Sequence, residues 1–370
     1  IWTCGICIAG DKKPGKCTIL QEWLMIGLEE MKIVALRNFA AKLITVIGIF
    51  LLVKNSNDLW IYFAIFSVAT LVTTLSLIFQ LRNYINYEHF DLRNMYKHIK
   101  GSLLLFLPQI ATIMYLQVDK IMLKAMSDTS QVAFYDQAEK IVSIPLALIT
   151  ALGTVIMPKL ATDFRNNHHK EIEKTIQIVI KFSLFASLPM MFGLMSISKT
   201  FIPWFLGSEF IPVASAIVII APIIVLNSLA NISGNQYFTA TNQTRIMTIS
   251  YMAAAILNII INAILIPIWQ YKGAAIATLL SALISVIIQY SVMRKQISVK
   301  MAFLSSSKYL LASLLMFCMF YFFRTLGSTW YITLAQIFIG VLMYIVILLL
   351  TKDEMLKKII LTLMKKGNKT

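Results

Sequence analysis

The order of apolar and polar residues divides the chain into long apolar stretches separated by short polar connections. From Ile33 onward, ten stretches approach the roughly 20 apolar residues that an α-helix needs to cross a hydrocarbon core of about 30 Å. They lie at about 33–53, 59–81, 102–126, 131–158, 176–197, 210–232, 246–268, 273–293, 307–324 and 330–351. The pattern therefore predicts an all-α polytopic membrane protein with about ten transmembrane helices.

Composition supports this prediction and excludes an ordinary soluble domain. Of the 370 residues, 58% are hydrophobic and only 14% are charged, and the mean hydropathy is +0.77. In a soluble domain, the net charge of +16 would indicate a nucleic-acid partner. In a membrane protein Lys and Arg collect in cytoplasmic loops, so no nucleic-acid partner is expected.

The connections alternate in charge, and this alternation predicts the topology. The basic set consists of Arg82, Arg93, Lys97, Lys100, Lys159, Arg165, Lys170, Lys174, Arg245, Arg294, Lys295, Lys300, Lys308 and the tail from Lys352 to Lys369. The other set holds only Lys54, Lys199, Lys272 and Arg324, with Lys124 at a helix end. The positive-inside bias predicts that the first set and the C-terminus are cytoplasmic. Four indole rings fall on the opposite side, as expected at a membrane interface: Trp60, Trp204, Trp269 and Trp330.

The third predicted span carries two adjacent charges, Asp119 and Lys120, which are costly in hydrocarbon. A short polar turn at 127–130 makes this span antiparallel to the next one. At a rise of about 1.5 Å per residue, Lys120 and Asp136 lie at a similar depth of roughly 9 to 10 Å below the turn. Glu139 and Lys140 lie about one turn deeper. We therefore expect all five residues to form one membrane-embedded cluster that faces the bundle interior.

Two interpretations of this cluster remain open. In the structural one, the charges neutralise each other and hold the helical hairpin in register. In the functional one, a carboxylate remains able to bind a proton or a sodium ion and couples ion entry to a change of access. Glu139, the deepest carboxylate, is the first candidate, with Asp119 and Asp136 beside it.

Further cations predict a positive cavity suited to a pyrophosphate, through charge-assisted hydrogen bonds. Lys42 lies near the middle of the first span, too deep to reach the headgroups easily. Arg37 lies one turn nearer the cytoplasm, where a headgroup anchor is the alternative role. Lys120, Lys140 and Lys181 complete the set of candidates. The amide pairs at 227/231 and 258/262 each share a helix face, and helix-helix contacts are their expected role.

Residues 1–31 form an atypical segment that fits poorly with the rest of the chain. Gly10, Gly15 and Lys16 have the spacing of a phosphate-binding loop, but Cys17 replaces the required Ser or Thr. Cys4 and Cys7 lack a nearby second pair for zinc. Both motifs are interpreted as chance, so no metal, cofactor or catalytic residue is expected.

Five stretches together resemble the Wzx-like polysaccharide flippases, within the superfamily that also includes multidrug antiporters. They are 27–44 (GLEEMKIVALRNFAAKLI), 107–141, 157–161 (MPKLA), 205–210 (FLGSEF) and 256–281. The resemblance implies a bundle of two six-helix lobes around a central cavity, often with two extra C-terminal helices. It also implies a transporter, not an enzyme, that moves isoprenoid-pyrophosphate-linked oligosaccharide to the outer leaflet for capsule or O-antigen synthesis.

Against the family pattern, the 27–44 stretch resembles the loop before the fifth helix, so the first four helices are expected to be missing. The expected organisation is the atypical segment 1–31, a two-helix remnant of the first lobe with its loop at 32–100, a six-helix lobe at 101–296, and two extra helices with a basic tail at 297–370. This is an incomplete two-lobe exporter bundle.

The expected partners are the lipid-linked oligosaccharide, membrane lipids, a coupling ion (H⁺ or Na⁺) and a polysaccharide polymerase. The expected location is the bacterial cytoplasmic membrane. Three alternatives remain: a multidrug antiporter of the same superfamily, a membrane polymerase or ligase of the same pathway, and a non-functional truncated remnant. The polymerase is disfavoured by short outer loops, and by four histidines that all lie in predicted cytoplasmic loops.

Overall fold

The structure is a computed structural model that describes residues 31–55, 58–81, 117–166, 168–322 and 327–357. Several sequence predictions lie outside these residues: the motifs before residue 31, the loop at 82–100, the first part of the third span at 102–116, and the tail beyond 357. Every regular element in the described ranges is helical.

Twelve helices run in chain order through the described residues. They are α1 (Met31–Leu52), α2 (Leu59–Leu81), α3 (117–126), α4 (Thr129–Arg165), α5 (His169–Phe205), α6 (Ile211–Ile220), α7 (Ile223–Ala230), α8 (Thr244–Trp269), α9 (Tyr271–Met293), α10 (Lys300–Ser305), α11 (Ser307–Phe322) and α12 (Trp330–Leu350). A 3₁₀ turn at Ser208–Phe210 precedes α6, and a π-helical segment at Asn231–Phe238 follows α7.

Six segments within the described residues are long and apolar enough to cross a membrane, or seven if one bent pair counts as a single span. The prediction of an all-α polytopic membrane protein is therefore confirmed. The chain divides into two compact units, Ile1–Phe106 and Leu107–Thr370. In the first unit, α1 and α2 pack as a hairpin. The Asp58 carboxylate stabilises their connection by accepting hydrogen bonds from the backbone N–H groups of Lys54 and Asn55.

The second unit is built around α5, which packs against α4, α6, α7, α11 and α12. Its buried face includes Ile176, Ile180 and Ile202, none of which is exposed. Polar contacts fix α12 beside it: Thr200 donates to the Gln336 carbonyl at 2.7 Å, and the Trp204 indole N–H donates to Thr333 at 2.8 Å. These bonds satisfy polar groups that would be costly if left unpaired in an apolar interior.

Helices α8 and α9 form a tight hairpin in the second unit. Gln270 reverses the chain at a φ of 51°, and Gly273 then lies directly against the end of α8. A Cβ at position 273 would lie 2.4 Å from the backbone oxygen of Leu265. Glycine is therefore needed for this close approach.

Two features differ from the sequence prediction. Helix α4 continues to Arg165, beyond its predicted end at 158. Helix α5 begins at His169, before its predicted start at 176. Apolar periodicity cannot detect these polar turns, which continue the backbone hydrogen bonding outside the apolar stretch. The predicted span at 210–232 is broken after Ile220 and bends by 47°, because Pro222 has no N–H to continue the helix.

We call one end of the second unit the basic end. It carries the α4–α5 turn, the start of α8, the α9–α10 connection and the end of α12, with Arg165, Arg245, Arg294, Lys300 and Lys352 among its side chains. Contacts join these parts: Gln177 of α5 donates to the Ser298 carbonyl at 2.7 Å, and Tyr309 of α11 donates to Asp353 at 3.1 Å.

Candidate functional site

The Asp119 carboxylate lies in a buried pocket formed by four helices, with 2% of the residue exposed. Oδ1 accepts hydrogen bonds from the side-chain amides of Asn258 at 2.8 Å and Asn262 at 2.5 Å. Oδ2 accepts from the hydroxyls of Tyr135 at 2.9 Å and Thr278 at 2.8 Å. All four partners are neutral, and Asp119 forms no ion pair with any described residue.

Local sequence explains how this pocket forms. Asp119 and Tyr135 lie on either side of the polar turn that joins α3 to α4, so the turn brings them together. Asn258 and Asn262 are four apart on α8 and therefore share a face. Thr278 lies on α9, which the close approach at Gly273 holds against α8. The asparagines and Asp119 are buried on every side, which makes the pocket a fixed arrangement of polar groups.

The pocket contains oxygen atoms that a small cation can use. Asn262 Oδ1 is buried and accepts no hydrogen bond. Asn258 Oδ1 accepts from Asn262 at 3.0 Å, and the Thr278 hydroxyl lies 2.8 Å from the Ala274 carbonyl oxygen. Rotation of an amide by 180° exchanges its nitrogen and oxygen. Such a rotation would direct amide oxygens toward the Asp119 carboxylate, in the oxygen-rich setting that hard cations prefer.

A separate charged cluster surrounds Lys120. Its ammonium lies 2.6 Å from Asp136 and 2.9 Å from Glu139, and Asp136 also pairs with Lys140 at 2.7 Å. The side chains of Lys120, Asp136 and Glu139 are 23 to 31% exposed, and that of Lys140 is 63% exposed. Two ammonium groups and two carboxylates balance, so the cluster has no net charge.

The structure thus places one of the five expected cluster members elsewhere. The contact between Lys120 and the 136–140 segment is present, but Asp119 was wrongly placed in the cluster. Successive helical residues are rotated by about 100°, so Asp119 points into the core while Lys120 faces α4. Glu139, the first candidate for a free carboxylate, is paired with Lys120, and Asp119 is the carboxylate that has neutral partners only.

The other predicted anion-binding cations are distributed over both units. Lys42 is exposed on α1 and makes no ion pair with a described residue, and Arg37 contacts the Asn38 side chain at 3.1 Å. Lys181 is partly exposed on α5. The role of each in substrate binding stays a prediction, as do the roles of Lys120 and Lys140.

Sequence reasoning missed two pocket residues and gave two others a different role. Nothing in the local sequence distinguishes Tyr135 or Thr278 from other polar residues in spans. Asn258 and Asn262 were expected to make helix-helix contacts. They do so by donating hydrogen bonds to the Asp119 carboxylate. The available signal was the four-residue spacing of the amides, together with the charge at position 119.

Three comparisons place this architecture among known proteins. Residues 16–163 match the family described as "Polysaccharide biosynthesis protein". The chain is 26% identical over 249 residues to a "Probable low-salt glycan biosynthesis flippase Agl15" of Haloferax volcanii, which covers 67% of this chain and 52% of the relative. It is 24% identical over 160 residues to the lipid II flippase MurJ of Bacillus subtilis, which covers 42% and 29%.

A solved structure has the same fold. The inward closed conformation of the lipid II flippase MurJ superposes with a TM-score of 0.71 at 20% identity, over 85% of this chain and 66% of that one. The chain is thus a polytopic helical membrane protein that shares the fold of this solved structure. The predicted resemblance to the Wzx-like polysaccharide flippases is confirmed by these matches. The chain spans about half the length of the curated relatives it matches, or less.

Proposed function

We propose that the protein flips isoprenoid-pyrophosphate-linked oligosaccharide across a bacterial cytoplasmic membrane for cell-surface polysaccharide synthesis of the capsule or O-antigen type. The observation that carries the proposal is the flippase fold, with a buried carboxylate at the junction of four of its helices. The family match and the names of the two relatives support a lipid-linked sugar as cargo. A polysaccharide polymerase is the proposed consumer of the product.

Cationic side chains are the proposed contacts for the pyrophosphate. Lys42 is the first candidate, because its ammonium makes no ion pair with a described residue and its position is mid-span. Arg37 and Lys181 are the further candidates. Lys120 and Lys140 are partly exposed, but each is already paired with a carboxylate, so binding there requires exchange of partners. Replacing a carboxylate by a phosphate as the partner of either ammonium costs less than leaving that ammonium buried without a partner.

The Asp119 pocket is the proposed coupling site, which would take a proton or a sodium ion. The pocket holds one carboxylate, so one monovalent cation neutralises it, whereas a divalent cation would leave an excess charge in a buried place. Because Asp119 joins α3 to α4, α8 and α9, neutralising it would weaken the hydrogen bonds that the latter three helices donate to its carboxylate. A ligand shifts a conformational equilibrium only by its different affinity for the two states, so the proposal requires that a cation bind this pocket more tightly in one of them.

The basic end supports the proposed membrane orientation, because Lys and Arg collect on the cytoplasmic side of membrane proteins. A cytoplasmic C-terminus is part of the proposal. Three tryptophans of the second unit lie at the opposite ends of their helices and are 40 to 60% exposed: Trp204, Trp269 and Trp330.

Complementation tests the proposal. A strain that lacks its own flippase receives the chain, alone and within its complete reading frame, and polymer display at the cell surface is measured. Rescue by the complete form supports the proposal, and rescue by neither form contradicts it. Lys42→Ala in the rescuing form is expected to abolish display while the protein still inserts, and Lys54→Ala, a loop cation, serves as its control.

A further inference from the structure

A groove at the basic end lies between the start of α5 and the α9–α10 connection. It is an open groove with a volume of about 900 Å³. Three cations line it, Arg294, Lys295 and Lys300, and one acid, Glu173. The three cations are exposed and form no ion pair with any described residue. The groove therefore carries an excess of positive charge that is available to a ligand.

The wall that carries these cations is held rigidly. Gln296 accepts a hydrogen bond from Tyr237 at 2.7 Å and donates one to Gln243 at 2.8 Å. On the other side, Gln177 donates to the Ser298 carbonyl at 2.7 Å, and Ile297 is 8% exposed. The groove is therefore formed before a ligand arrives, which lowers the entropic cost of binding.

The groove also has apolar surface beside these cations. Leu304 lies four residues after Lys300 on α10, so the two share one helical face, and Ser307 at the start of α11 also lines the groove. Leu304 is 64% exposed, and the adjacent Met301 is 61% exposed. A small soluble anion gains nothing from this apolar surface, whereas a molecule with both an anionic group and an apolar part can contact the cations and Leu304 together.

The groove lies at the level of the lipid headgroups along the membrane normal. Helix α9 has 23 residues and is therefore about 34 Å long, close to the roughly 30 Å of a hydrocarbon core. Tyr271 begins this helix, and Arg294 follows its last residue. When Tyr271 lies at one membrane interface, Arg294 lies at the other, at the level of the phosphates.

We propose that this groove binds the headgroup of an anionic phospholipid from the leaflet at the basic end. The lipid phosphate would accept hydrogen bonds from Arg294 and Lys300. Hydroxyls on the headgroup would donate to Glu173, and the first acyl carbons would lie on Leu304. Three cations against one acid favour a lipid with net negative charge over a zwitterionic one. The inference is independent of the cargo, because it concerns a resident membrane lipid.

Native mass spectrometry of the purified chain in mild detergent tests this site. Phosphatidylglycerol is titrated against phosphatidylcholine with the same acyl chains, and glycerol 1-phosphate is added as a competitor. We expect saturable, selective binding of phosphatidylglycerol that glycerol 1-phosphate does not displace. Replacing Arg294, Lys295 and Lys300 with Gln is expected to weaken this binding by about tenfold.

Two further variants make the result specific to the groove. The control Arg165→Gln/Arg245→Gln/Lys352→Gln removes three exposed charges from the same end, and binding should stay within about twofold of the original. Ser307→Trp keeps the charge but fills the groove, so binding should fall. Thermal unfolding in detergent without added lipid verifies that each variant is folded.

Four results would overturn the proposal. They are equal binding of phosphatidylcholine, equal loss of binding in the control variant, displacement by glycerol 1-phosphate, and unchanged binding in a folded Ser307→Trp variant. Preferential binding of an isoprenyl pyrophosphate over phosphatidylglycerol would also overturn it, because the groove would then serve the cargo.

Discussion

The side-chain amide of Asn262 lies 2.5 Å from Oδ1 of Asp119, although 143 positions separate the two residues in sequence. This contact ties α3 to α8, and the Thr278 hydroxyl extends the connection to α9. Among the described residues, only neutral groups contact this carboxylate. A bound cation would therefore be its first charged partner among them.

Removing the Asp119 carboxylate is expected to destabilise the second unit. In Asp119→Ala, the amides and hydroxyls that now donate to it lose their acceptor, at a cost of about 1–3 kcal/mol in the free energy of unfolding. Thr278→Val removes one donor and should cost about 0.5–1.5 kcal/mol. Thermal unfolding in detergent measures both effects, and a loss in Thr278→Val that exceeds the loss in Asp119→Ala would contradict this assignment.

Lys120 and Lys140 should differ in their importance. Lys120→Met leaves Glu139 without its cation in a partly buried position, and we expect a loss of about 1–2 kcal/mol. Lys140→Met removes a cation whose side chain is 63% exposed, and a loss of about 0–0.5 kcal/mol is expected. Chemical denaturation of the two variants makes the comparison. Equal losses would mean that Lys120 is no more than a surface charge.

Local rules in the sequence predicted the helical class and the Lys120 pairing. The positions of apolar stretches give spans, and a fixed rise per residue places Lys120 beside Asp136 across a short turn. The partners of Asp119 could not be found in this way, because Asn258, Asn262 and Thr278 lie 139 to 159 positions away. Their proximity depends on how α8 and α9 pack against α3, and neither spacing nor hydropathy encodes this packing.

Backbone detail was also beyond the sequence pattern. The π-helical segment at Asn231–Phe238 continues directly from α7, and hydropathy does not distinguish π-helical from α-helical hydrogen bonding. The predicted span at 210–232 bends by 47° between Ile220 and Ile223, and the apolar pattern contains no information on this angle. The end of α4 and the start of α5 consist mostly of polar residues that continue the helical hydrogen bonding. The apolar pattern cannot predict these turns, because it follows apolar residues only.

Gly273→Ala is expected to separate α8 from α9. The added Cβ would lie 2.4 Å from the Leu265 carbonyl oxygen, which belongs to the backbone and cannot rotate away. We expect a loss of about 1–3 kcal/mol in unfolding free energy, as for other overpacked sites. Gly327→Ala is the matched control, because a Cβ there has no heavy atom within 4 Å. An unchanged melting temperature in Gly273→Ala would contradict the close approach of the two helices.

Asp353 should make the stability of the basic end dependent on pH. Burial alone would raise the pKa of this carboxyl, but the Lys308 ammonium, the Leu356 N–H and the Tyr309 hydroxyl hold the pKa below its usual value of 3.8. A lowered folded-state pKa stabilises the protein above about pH 4, and this contribution is lost as the pH falls through the folded pKa.

Asp353→Asn is therefore expected to lower the melting temperature at pH 7, corresponding to about 1–3 kcal/mol. The difference from the original protein should shrink below pH 3.8. Glu354→Gln, on the neighbouring exposed residue, should have no such effect. A difference that is constant from pH 7 to pH 3 would exclude Asp353 as the titrating group.

Transport in proteoliposomes tests the proposed coupling at Asp119 most directly. The protein is reconstituted within its complete reading frame, a sodium or a proton gradient is imposed, and the arrival of a fluorescent lipid-linked oligosaccharide in the opposite leaflet is measured. One of the two gradients should accelerate transport, Asp119→Asn should abolish that acceleration, and Glu139→Gln should retain it. Acceleration that persists in Asp119→Asn and disappears in Glu139→Gln would contradict the assignment of the coupling site to Asp119.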